Sequence, residues 1–322
     1  LFTGLGRQAV IVFFVISGFW IGKSVLEGAG NRHFWRHYLV SRFSRLYIVL
    51  IPALLLGGLM DYMGHYLLGL PVYTMRDAHS MQDVSIETLS IQNFLGNALY
   101  LQYIFVPVFG TNGPLWSLAY EFWFYIWFPA IFLIFTRKFS VFLISLALIY
   151  YVPMLAAYFV IWLIGVSVYY LSQVMKRYVP INSYSKTTFV SLIFAICIFV
   201  SCLILSSVVG SYVAELALAT SFGLLLLVLL RIDGKLWPPP QSVARFGSRS
   251  SFSVYIIHFP IVVFAAGLAR ADRLQIDVVS ATLVVLLTVF AVASGWAFSL
   301  FTEAHTKRLK NLISSQFKSR GI

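Results

Sequence analysis

The first candidate for chemistry is Glu121, a carboxylate inside the aromatic stretch NGPLWSLAYEFWFY. If this stretch crosses a membrane, the charge costs at least about 2.5–3.5 kcal/mol, which points to a function. Between Tyr120 and Trp123, a poorly solvated carboxyl group suits proton transfer or the orientation of a hydroxyl group. The alternative is a glutamate near the outer interface, whose side chain reaches water or caps a helix.

The second candidate is His258, which lies in the apolar stretch SFSVYIIHFPIVV. Counted from the charged end of that stretch it lies about seven residues in, or roughly 10 Å at 1.5 Å per residue. Pro260 has no N–H, so the carbonyl one turn earlier is left for a side chain or a substrate to satisfy. Catalysis and a hydrogen bond between helices are both open for this histidine.

The third candidate is the pair Arg42 and Arg45 in RHFWRHYLVSRFSRLYIVLIP. Residues three apart share one helix face, and two guanidinium groups on one face can clamp phosphate groups. Basic residues at a helix entrance also bind anionic lipid headgroups and orient membrane proteins. Phosphate binding and membrane orientation are therefore alternatives.

Membrane helices must position these residues. Of the 322 residues, 60% are hydrophobic and 11% are charged, against roughly 45–50% and about 25% in soluble globular proteins. We therefore predict an all-α, polytopic protein in a lipid bilayer. The net charge of +12 would suggest nucleic acid for a soluble chain. In a membrane protein, an excess of positive charge first indicates which side of the membrane the loops occupy. We therefore expect no nucleic-acid partner.

Nine apolar runs are predicted to cross the bilayer, whose core of about 30 Å needs roughly 20 helical residues. Their approximate ranges are 8–25, 45–68, 114–135, 139–151, 154–171, 187–207, 212–230, 253–268 and 278–301. The fourth is short, and Pro153 separates it from the fifth, which favours a tight helical hairpin. No linker or internal repeat divides the sequence, so a single transmembrane domain is expected over residues 1–322.

Charge gives the orientation of these spans. With nine alternating crossings, 19 of the 23 Lys and Arg residues fall on one side, which the positive-inside rule makes cytoplasmic. The C-terminal tail, about 302–322, is then cytoplasmic, and a long loop, about 69–113, faces outward. That loop ends in FLGNALYLQYIFVPVFG, which we predict to be interfacial or re-entrant.

The remaining features are less specific. Ser17 and Gly18 form a small-residue notch, which most often serves helix packing. Glu215 and Glu303 lie near predicted span ends, where interfacial positions are expected. The usual phosphate-binding, dinucleotide, zinc-protease and nucleophile motifs are absent from the sequence, and we expect neither a metal nor a bound cofactor.

Four segments in order resemble the acyltransferase-3 family of integral membrane acyltransferases, which includes bacterial O-antigen and exopolysaccharide O-acetylases. GRQAVIVFFVISGFWIG resembles the family's second span, and SRFSRLYIVLIP its Arg-x-x-Arg entrance to the third. NGPLWSLAYEFWFY is similar to its Trp-Ser-Leu-x-x-Glu signature, and SFSVYIIHFPIVV to its late Tyr-x-x-His-x-Pro span. In one departure, Val10 and Ile11 replace the acidic residue often found before the FFV motif.

The resemblance implies a ten-span protein of the bacterial inner membrane, with a cytoplasmic acyl-CoA, usually acetyl-CoA, as co-substrate. Its acceptor is a hydroxyl group of a carbohydrate or lipid-linked glycan at the periplasmic face. The family's first helix carries a histidine regarded as catalytic, and this helix is expected upstream of Leu1. By resemblance, the site residues are Arg42 and Arg45 for the donor phosphates, Glu121 and His258 for catalysis, and Trp116, Asn112 and Tyr255 for substrate binding.

Two other classes of membrane protein share parts of this pattern. A proton-coupled secondary transporter also has many spans, a buried glutamate and a helix interrupted by proline, but it would favour repeats that the sequence lacks. A lipid-linked glycan flippase or polymerase shares the large outward loop. Such a protein should carry basic residues there, whereas Arg76 stands among Asp77, Asp83 and Glu87.

Overall fold

The structure, a computed structural model, describes residues 5–28, 30–31, 34–73, 86–132, 152–178, 186–232, 241–269 and 278–319. Within these ranges the chain is helical and forms no β-strand, apart from an isolated bridge between Gln102 and Val106. Helix is the expected state because lipid offers no hydrogen-bond partners, and a helix satisfies its own backbone within one segment. The prediction of an all-α, polytopic membrane protein is confirmed.

Ten α-helices occur in the described ranges. They are α1 (Gly6–Gly28), α2 (Phe34–Tyr62), α3 (Ile91–Ala98), α4 (Leu115–Phe132), α5 (Pro153–Tyr178), α6 (Lys186–Val209), α7 (Tyr212–Leu229), α8 (Gln241–Leu268), α9 (Val278–Phe301) and α10 (Thr306–Ser319). A π-helical turn, Met63–Leu67, extends α2. Serine side chains cap two of the N-termini: Ser90 Oγ accepts from the Asn93 N–H at the start of α3, and Ser211 Oγ from the Ala214 N–H at the start of α7.

Seven of the described helical segments are long and apolar enough to cross a bilayer. They overlap α1, α2, α5, α6, α7, α8 and α9, and correspond to seven of the nine predicted spans. The third predicted span is the helix α4, which is rich in Trp and Tyr, carries Glu121 and is not among the seven. The fourth, 139–151, lies outside the described residues, so the count of nine stays a prediction.

The helices extend beyond the predicted spans. α2 begins at Phe34, well before the span 45–68, and α8 begins at Gln241, well before 253–268. Hydropathy marks where a chain enters lipid, whereas a helix continues until a cap, glycine or proline stops it. As a result, Arg42 and Arg45 lie inside α2 rather than at its first turn.

The helices form two compact units, each built from two stretches of chain. The first unit comprises Leu1–Phe34 and Tyr120–Pro238, and the second comprises Trp35–Ala119 and Pro239–Ile322. The first therefore holds α1, most of α4, α5, α6 and α7, while the second holds α2, α3, α8, α9 and α10. The division falls within α4, whose first five residues, 115–119, belong to the second unit.

In the first unit, α1 and α5 approach each other through paired glycines. A Cβ atom at Gly18 would collide with the carbonyl oxygen of Trp162, and one at Gly165 with the carbonyl oxygen of Val15. Each helix thus places its backbone in a notch of the other, as small-residue interfaces allow. The packing role predicted for the notch at Gly18 is confirmed.

An aromatic core fills the space beside this contact. Phe124 of α4 packs against Phe14, Phe159 and Trp162, with ring centroids 5.5, 5.3 and 5.9 Å apart. All four side chains are buried. Aromatic pairs at such distances add to the stability that burial of the rings provides, so α4 is fixed against α1 and α5.

In the second unit, α8 packs along α9, and the chain before α4 folds back along α2. The Tyr100 ring lies edge-on to Tyr47, with centroids 5.5 Å apart, while Thr111 is hydrogen-bonded to Asp61. Tyr47 and Asp61 are separated by about 21 Å along α2 at 1.5 Å per residue. The segment 86–114 therefore extends from the end of α2 toward its middle. We call it the re-entrant segment for this path along α2; its place relative to the bilayer stays a prediction.

Candidate functional site

Asn112 completes a hydrogen bond that α8 cannot make by itself. Pro260 has no N–H, so the Ile256 carbonyl lacks its usual helical donor. Asn112 Nδ2 donates to the Ile256 carbonyl oxygen at 2.8 Å, and the asparagine is buried. The expectation that a side chain or a substrate would satisfy this carbonyl is confirmed, with Asn112 as the donor. The re-entrant segment is thereby fastened to α8.

Ser117 and Tyr255 make a second link between the start of α4 and α8. Their hydroxyl oxygens are 2.5 Å apart, and the Tyr255 hydroxyl donates to the Pro114 carbonyl at 3.0 Å. Ser117 Oγ also lies 3.2 Å from the Pro114 carbonyl oxygen, so the two hydroxyl groups share this acceptor and either of them can donate to the other. Sequence reasoning missed Ser117. The one available signal was its place between Trp116 and Leu118 in the Trp-Ser-Leu signature.

His258 is held in one tautomer by the backbone of its own helix. Its Nδ1 lies 2.6 Å from the carbonyl oxygen of Tyr255. A carbonyl oxygen can only accept, so this geometry assigns the proton to Nδ1. In the neutral ring, Nε2 then carries the lone pair, and it makes no hydrogen bond to any residue that the structure describes. The imidazole can therefore accept a proton at Nε2.

These contacts bring four of the seven predicted site residues to one region of the second unit. We call this region the α8 junction and define it as Asn112, Trp116, Ser117, Tyr255, Ile256 and His258. Trp116 belongs to it as the partly buried neighbour of Ser117 in the first turn of α4. The junction combines a potential proton acceptor with hydroxyl and amide groups that can orient a polar ligand.

Arg45 lies against the part of α8 that leads to this junction. Its guanidinium carbon is 5.9 Å from the centre of the Phe252 ring, and its Nη2 is 3.7 Å from Glu303 Oε1. The Arg45 side chain is still 48% exposed, so a ligand can reach it. His258 lies six residues after Phe252, or roughly 9 Å along the helix. Arg42 is on the same face of α2, with its guanidinium over the Tyr38 ring at 5.7 Å.

Glu303 is more enclosed than its position near a span end suggested. Its Oε2 accepts hydrogen bonds from the backbone N–H and the hydroxyl of Ser253, at 3.3 and 3.0 Å. The side chain of Glu303 is 8% exposed and Arg45 is its ionic partner. Glu303 thus links the turn after α9 to both α8 and α2, which the sequence did not predict.

Glu121 belongs to the first unit, where hydroxyl groups hold its carboxylate. Ser17 Oγ donates to Glu121 Oε1 at 2.7 Å, and the Tyr125 hydroxyl, one turn further along α4, donates to the same oxygen. Trp162 Nε1 donates to Ser17 at 3.3 Å. Glu121 is 2% exposed, so the alternative of a side chain reaching water at the interface is wrong. The notch residue Ser17 therefore also orients this carboxylate.

A second buried carboxylate in the first unit, Glu215, is paired with a cation. It forms an ion pair with Arg7 and accepts a hydrogen bond from the Tyr158 hydroxyl at 3.0 Å, while Arg7 donates to Tyr158 at 2.7 Å. Glu215 is 1% exposed, and its expected position near the membrane interface stays a prediction. Arg7 and Glu215 fall on the same predicted side of the membrane, and this was the signal that could have paired them. Among the described residues, no cluster of His, Cys, Asp and Glu could hold a metal ion.

Comparison with known proteins gives two matches. The profile of a family described as an acyltransferase domain matches residues 1–300. Over 127 residues the chain is 29% identical to acyltransferase MdmB of Streptomyces mycarofaciens, a stretch that covers 39% of this chain and 28% of that protein. The match thus spans less than a third of the relative's length. No solved structure matches significantly.

Proposed function

Since this chain belongs to the acyltransferase family whose profile matches residues 1–300, we propose that it transfers an acyl group, typically acetyl, from cytoplasmic acyl-CoA. The acceptor is a hydroxyl group of a carbohydrate or lipid-linked glycan at the outer face of a bacterial inner membrane. The observation that carries the proposal is the α8 junction, where the Tyr255 carbonyl leaves Nε2 of the neutral His258 ring unprotonated. The Tyr255 ring, centred 5.8 Å from the imidazole, is hydrogen-bonded through its hydroxyl group to Ser117.

The donor is proposed to bind through its phosphate groups at Arg45 and Arg42. A guanidinium group offers paired N–H donors that match phosphate oxygens, and it stays charged at every physiological pH. The exposed half of Arg45 is accessible to such a ligand. Arg45 lies beside Phe252 on α8, and a donor held there is proposed to extend its acyl end along α8 toward His258.

His258 is proposed as the proton acceptor of the reaction. Its Nε2 takes the proton of the acceptor hydroxyl while the hydroxyl oxygen bonds to the thioester carbonyl carbon. When the C–S bond breaks, the same proton passes to the leaving sulfur, giving the ester, free CoA and neutral His258. This role rests on the tautomer set by the Tyr255 carbonyl, and it is separate from the upstream histidine that the family resemblance implies.

Asn112, Trp116 and Tyr255 are proposed to contact the substrates. Asn112 Oδ1 is buried and makes no hydrogen bond within the described chain, whereas its Nδ2 is used on Ile256. A hydroxyl group or amide N–H of a substrate that reached Oδ1 would satisfy an otherwise costly buried acceptor. For Glu121, whose carboxylate is fixed by two hydroxyl groups, the role that the family resemblance implies is proposed: a carboxylate that orients a hydroxyl group or exchanges a proton.

Transfer of label from acetyl-CoA tests the proposal. Membranes of the native host, with the protein overproduced or its gene deleted, are incubated with acetyl-labelled acetyl-CoA, and the glycan fraction is counted. We expect label that depends on the protein and is released by mild alkali, as an ester requires. Equal labelling of both membranes with acetyl-CoA, and again with succinyl-CoA as a second donor, would refute the proposal. A proton-dependent solute flux without labelling would favour the transporter alternative instead.

A further inference from the structure

A buried carboxylate at the end of α2, Asp61, has no role in the proposed reaction. It is 1% exposed and, among the described residues, forms no ion pair. A buried charge without a cation is costly unless hydrogen bonds replace its hydration. Both oxygens of Asp61 have such bonds from a single residue: the Thr111 N–H donates to Oδ2 at 2.7 Å and the Thr111 hydroxyl to Oδ1 at 2.8 Å.

The backbone around Thr111 is shaped to enclose this carboxylate. Gly110 has a φ of +63°, which side chains of L-residues rarely allow, and a Cβ there would collide with Asp61 Oδ2. Its N–H donates to Thr88 Oγ1 at 2.9 Å. Burial, and secondly the neighbouring Asp61 carboxylate, raise the pKa of the Tyr73 hydroxyl, so this phenol stays protonated beside Asp61.

The enclosed turn leads directly into the α8 junction. Thr111 precedes Asn112, whose side chain supplies the donor for the Ile256 carbonyl. Ser117, six residues after Thr111, is bonded to Tyr255. Any displacement of the turn at Thr111 therefore moves the two groups that fasten the re-entrant segment to α8.

We propose that Asp61 is a positioning residue that accepts hydrogen bonds from both the N–H and the hydroxyl group of Thr111. By fixing Thr111, it keeps Asn112 and the start of α4 in register with α8, and thereby with His258. An apolar residue could fill the same space at less desolvation cost, but it could not direct two hydrogen bonds onto one residue. The proposal rests on the proposed function for its kinetic readout, whereas its structural readout is independent of that function.

Three variants separate positioning from simple packing. Asp61→Asn keeps the size of the side chain but replaces the charged acceptor by a neutral amide, which weakens the hydrogen bond from the Thr111 N–H and reverses the one with the Thr111 hydroxyl. Thr111→Val keeps the shape of the threonine but removes the hydroxyl donor. Thr111→Ser keeps both donors and is the matched control, expected to behave like the wild type.

The structural measurement is amide hydrogen exchange of the purified protein in nanodiscs, read on peptides covering residues 108–113. Asp61→Asn, which removes the charge from the acceptor, and Thr111→Val, which removes one hydrogen bond to it, should each exchange about tenfold faster there, with Thr111→Ser unchanged. Peptides from α5 serve as the reference because α5 belongs to the first unit. Unchanged exchange in Asp61→Asn would overturn the proposal.

The kinetic measurement is acetyl transfer to the glycan fraction of host membranes at increasing acetyl-CoA concentrations. For Asp61→Asn we expect kcat per folded protein to fall on the order of tenfold or more, because small misplacements of reacting groups are costly. The KM for acetyl-CoA should stay within about twofold, since donor affinity depends on Arg42 and Arg45. Thr111→Ser should keep the wild-type kcat. Equal losses of kcat in Thr111→Ser and Thr111→Val would overturn the positioning role. So would a loss of total activity in Asp61→Asn that is explained by less folded protein at an unchanged kcat. If the wild type transfers no acetyl group, the proposed function fails, and the exchange measurement decides on Asp61 by itself.

Discussion

At the scale of residues, two backbone carbonyl groups of α8 organise the second unit, because each of them is hydrogen-bonded to a side chain. Pro260 frees the Ile256 carbonyl for Asn112, and the Tyr255 carbonyl sets the tautomer of His258. The sequence predicted the need for a donor at the first of these carbonyls. It could not predict which donor, because Asn112 and Ile256 are 144 residues apart in the chain, and only tertiary packing brings them together.

The bond from Asn112 to Ile256 can be tested by a double-mutant cycle. Asn112→Ala leaves the Ile256 carbonyl without a donor, which we expect to destabilise the protein by about 1–3 kcal/mol. Pro260→Ala restores the helical N–H, so in that background Asn112→Ala should cost much less. The measurement is the midpoint of denaturation of each variant in the same detergent. An equal cost of Asn112→Ala in both backgrounds would contradict the account.

Glu121→Gln tests whether the buried carboxylate of Glu121 takes part in the reaction. Glutamine keeps an acceptor oxygen for Ser17 and Tyr125 but cannot exchange a proton, so acetyl transfer should fall by roughly 10²-fold or more, while the yield of folded protein is kept. Tyr125→Phe is the control: it removes one donor to Glu121 Oε1 but leaves the carboxylate, and the loss should be smaller. Unchanged transfer in Glu121→Gln would show that the carboxylate has no part in the reaction.

At the scale of elements, the helices were the most predictable part of the structure and their ends were the least. Seven predicted spans have matching apolar helices, because a long apolar run in lipid has no other way to satisfy its backbone. The ends of α2 and α8 were missed because polar residues continue a helix beyond the bilayer. For the re-entrant segment, hydropathy left two choices, and the choice depends on contacts such as those of Tyr100 with Tyr47, which no local pattern encodes.

The close contact of α1 and α5 gives a prediction at this scale. Gly18→Ala places a methyl group against the Trp162 carbonyl oxygen, and the helices must move apart at a cost of about 1–3 kcal/mol. Gly247→Ala is the control, since a Cβ at Gly247, inside α8, meets nothing within 4 Å and should stabilise its helix by up to about 1 kcal/mol. Thermal denaturation in detergent gives both values. A Gly18→Ala protein as stable as the wild type would mean that the two helices are not so close.

At the scale of the whole molecule, class and family were accessible from the sequence, whereas the division into two units was not. The composition identified a membrane protein, and four short motifs in order indicated the family that the profile over residues 1–300 shows. The two units interleave along the chain, so no composition shift or linker marks their boundary. Within α4, Ser117 and Glu121 consequently belong to different clusters, although one motif contains both.

The orientation of the chain is a prediction for the whole molecule. Because 19 of 23 basic residues are assigned to the cytoplasmic side, the C-terminus should be cytoplasmic. Green fluorescent protein fused after Ile322 should fluoresce, and alkaline phosphatase fused at the same position should be inactive. Phosphatase inserted into the outward loop, in turn, should be active. The reverse pattern would contradict the charge analysis.

The most direct test of the central claim, that the α8 junction transfers the acyl group and Arg45 binds its donor, is the acetyl-CoA dependence of transfer by two variants. His258→Gln should lower kcat by roughly 10²-fold or more with little change in KM, because it removes the proton acceptor. Arg45→Gln should raise the KM for acetyl-CoA about tenfold or more and change kcat less, because it removes a charged contact to the donor phosphates. Wild-type kcat and KM in both variants would contradict the account.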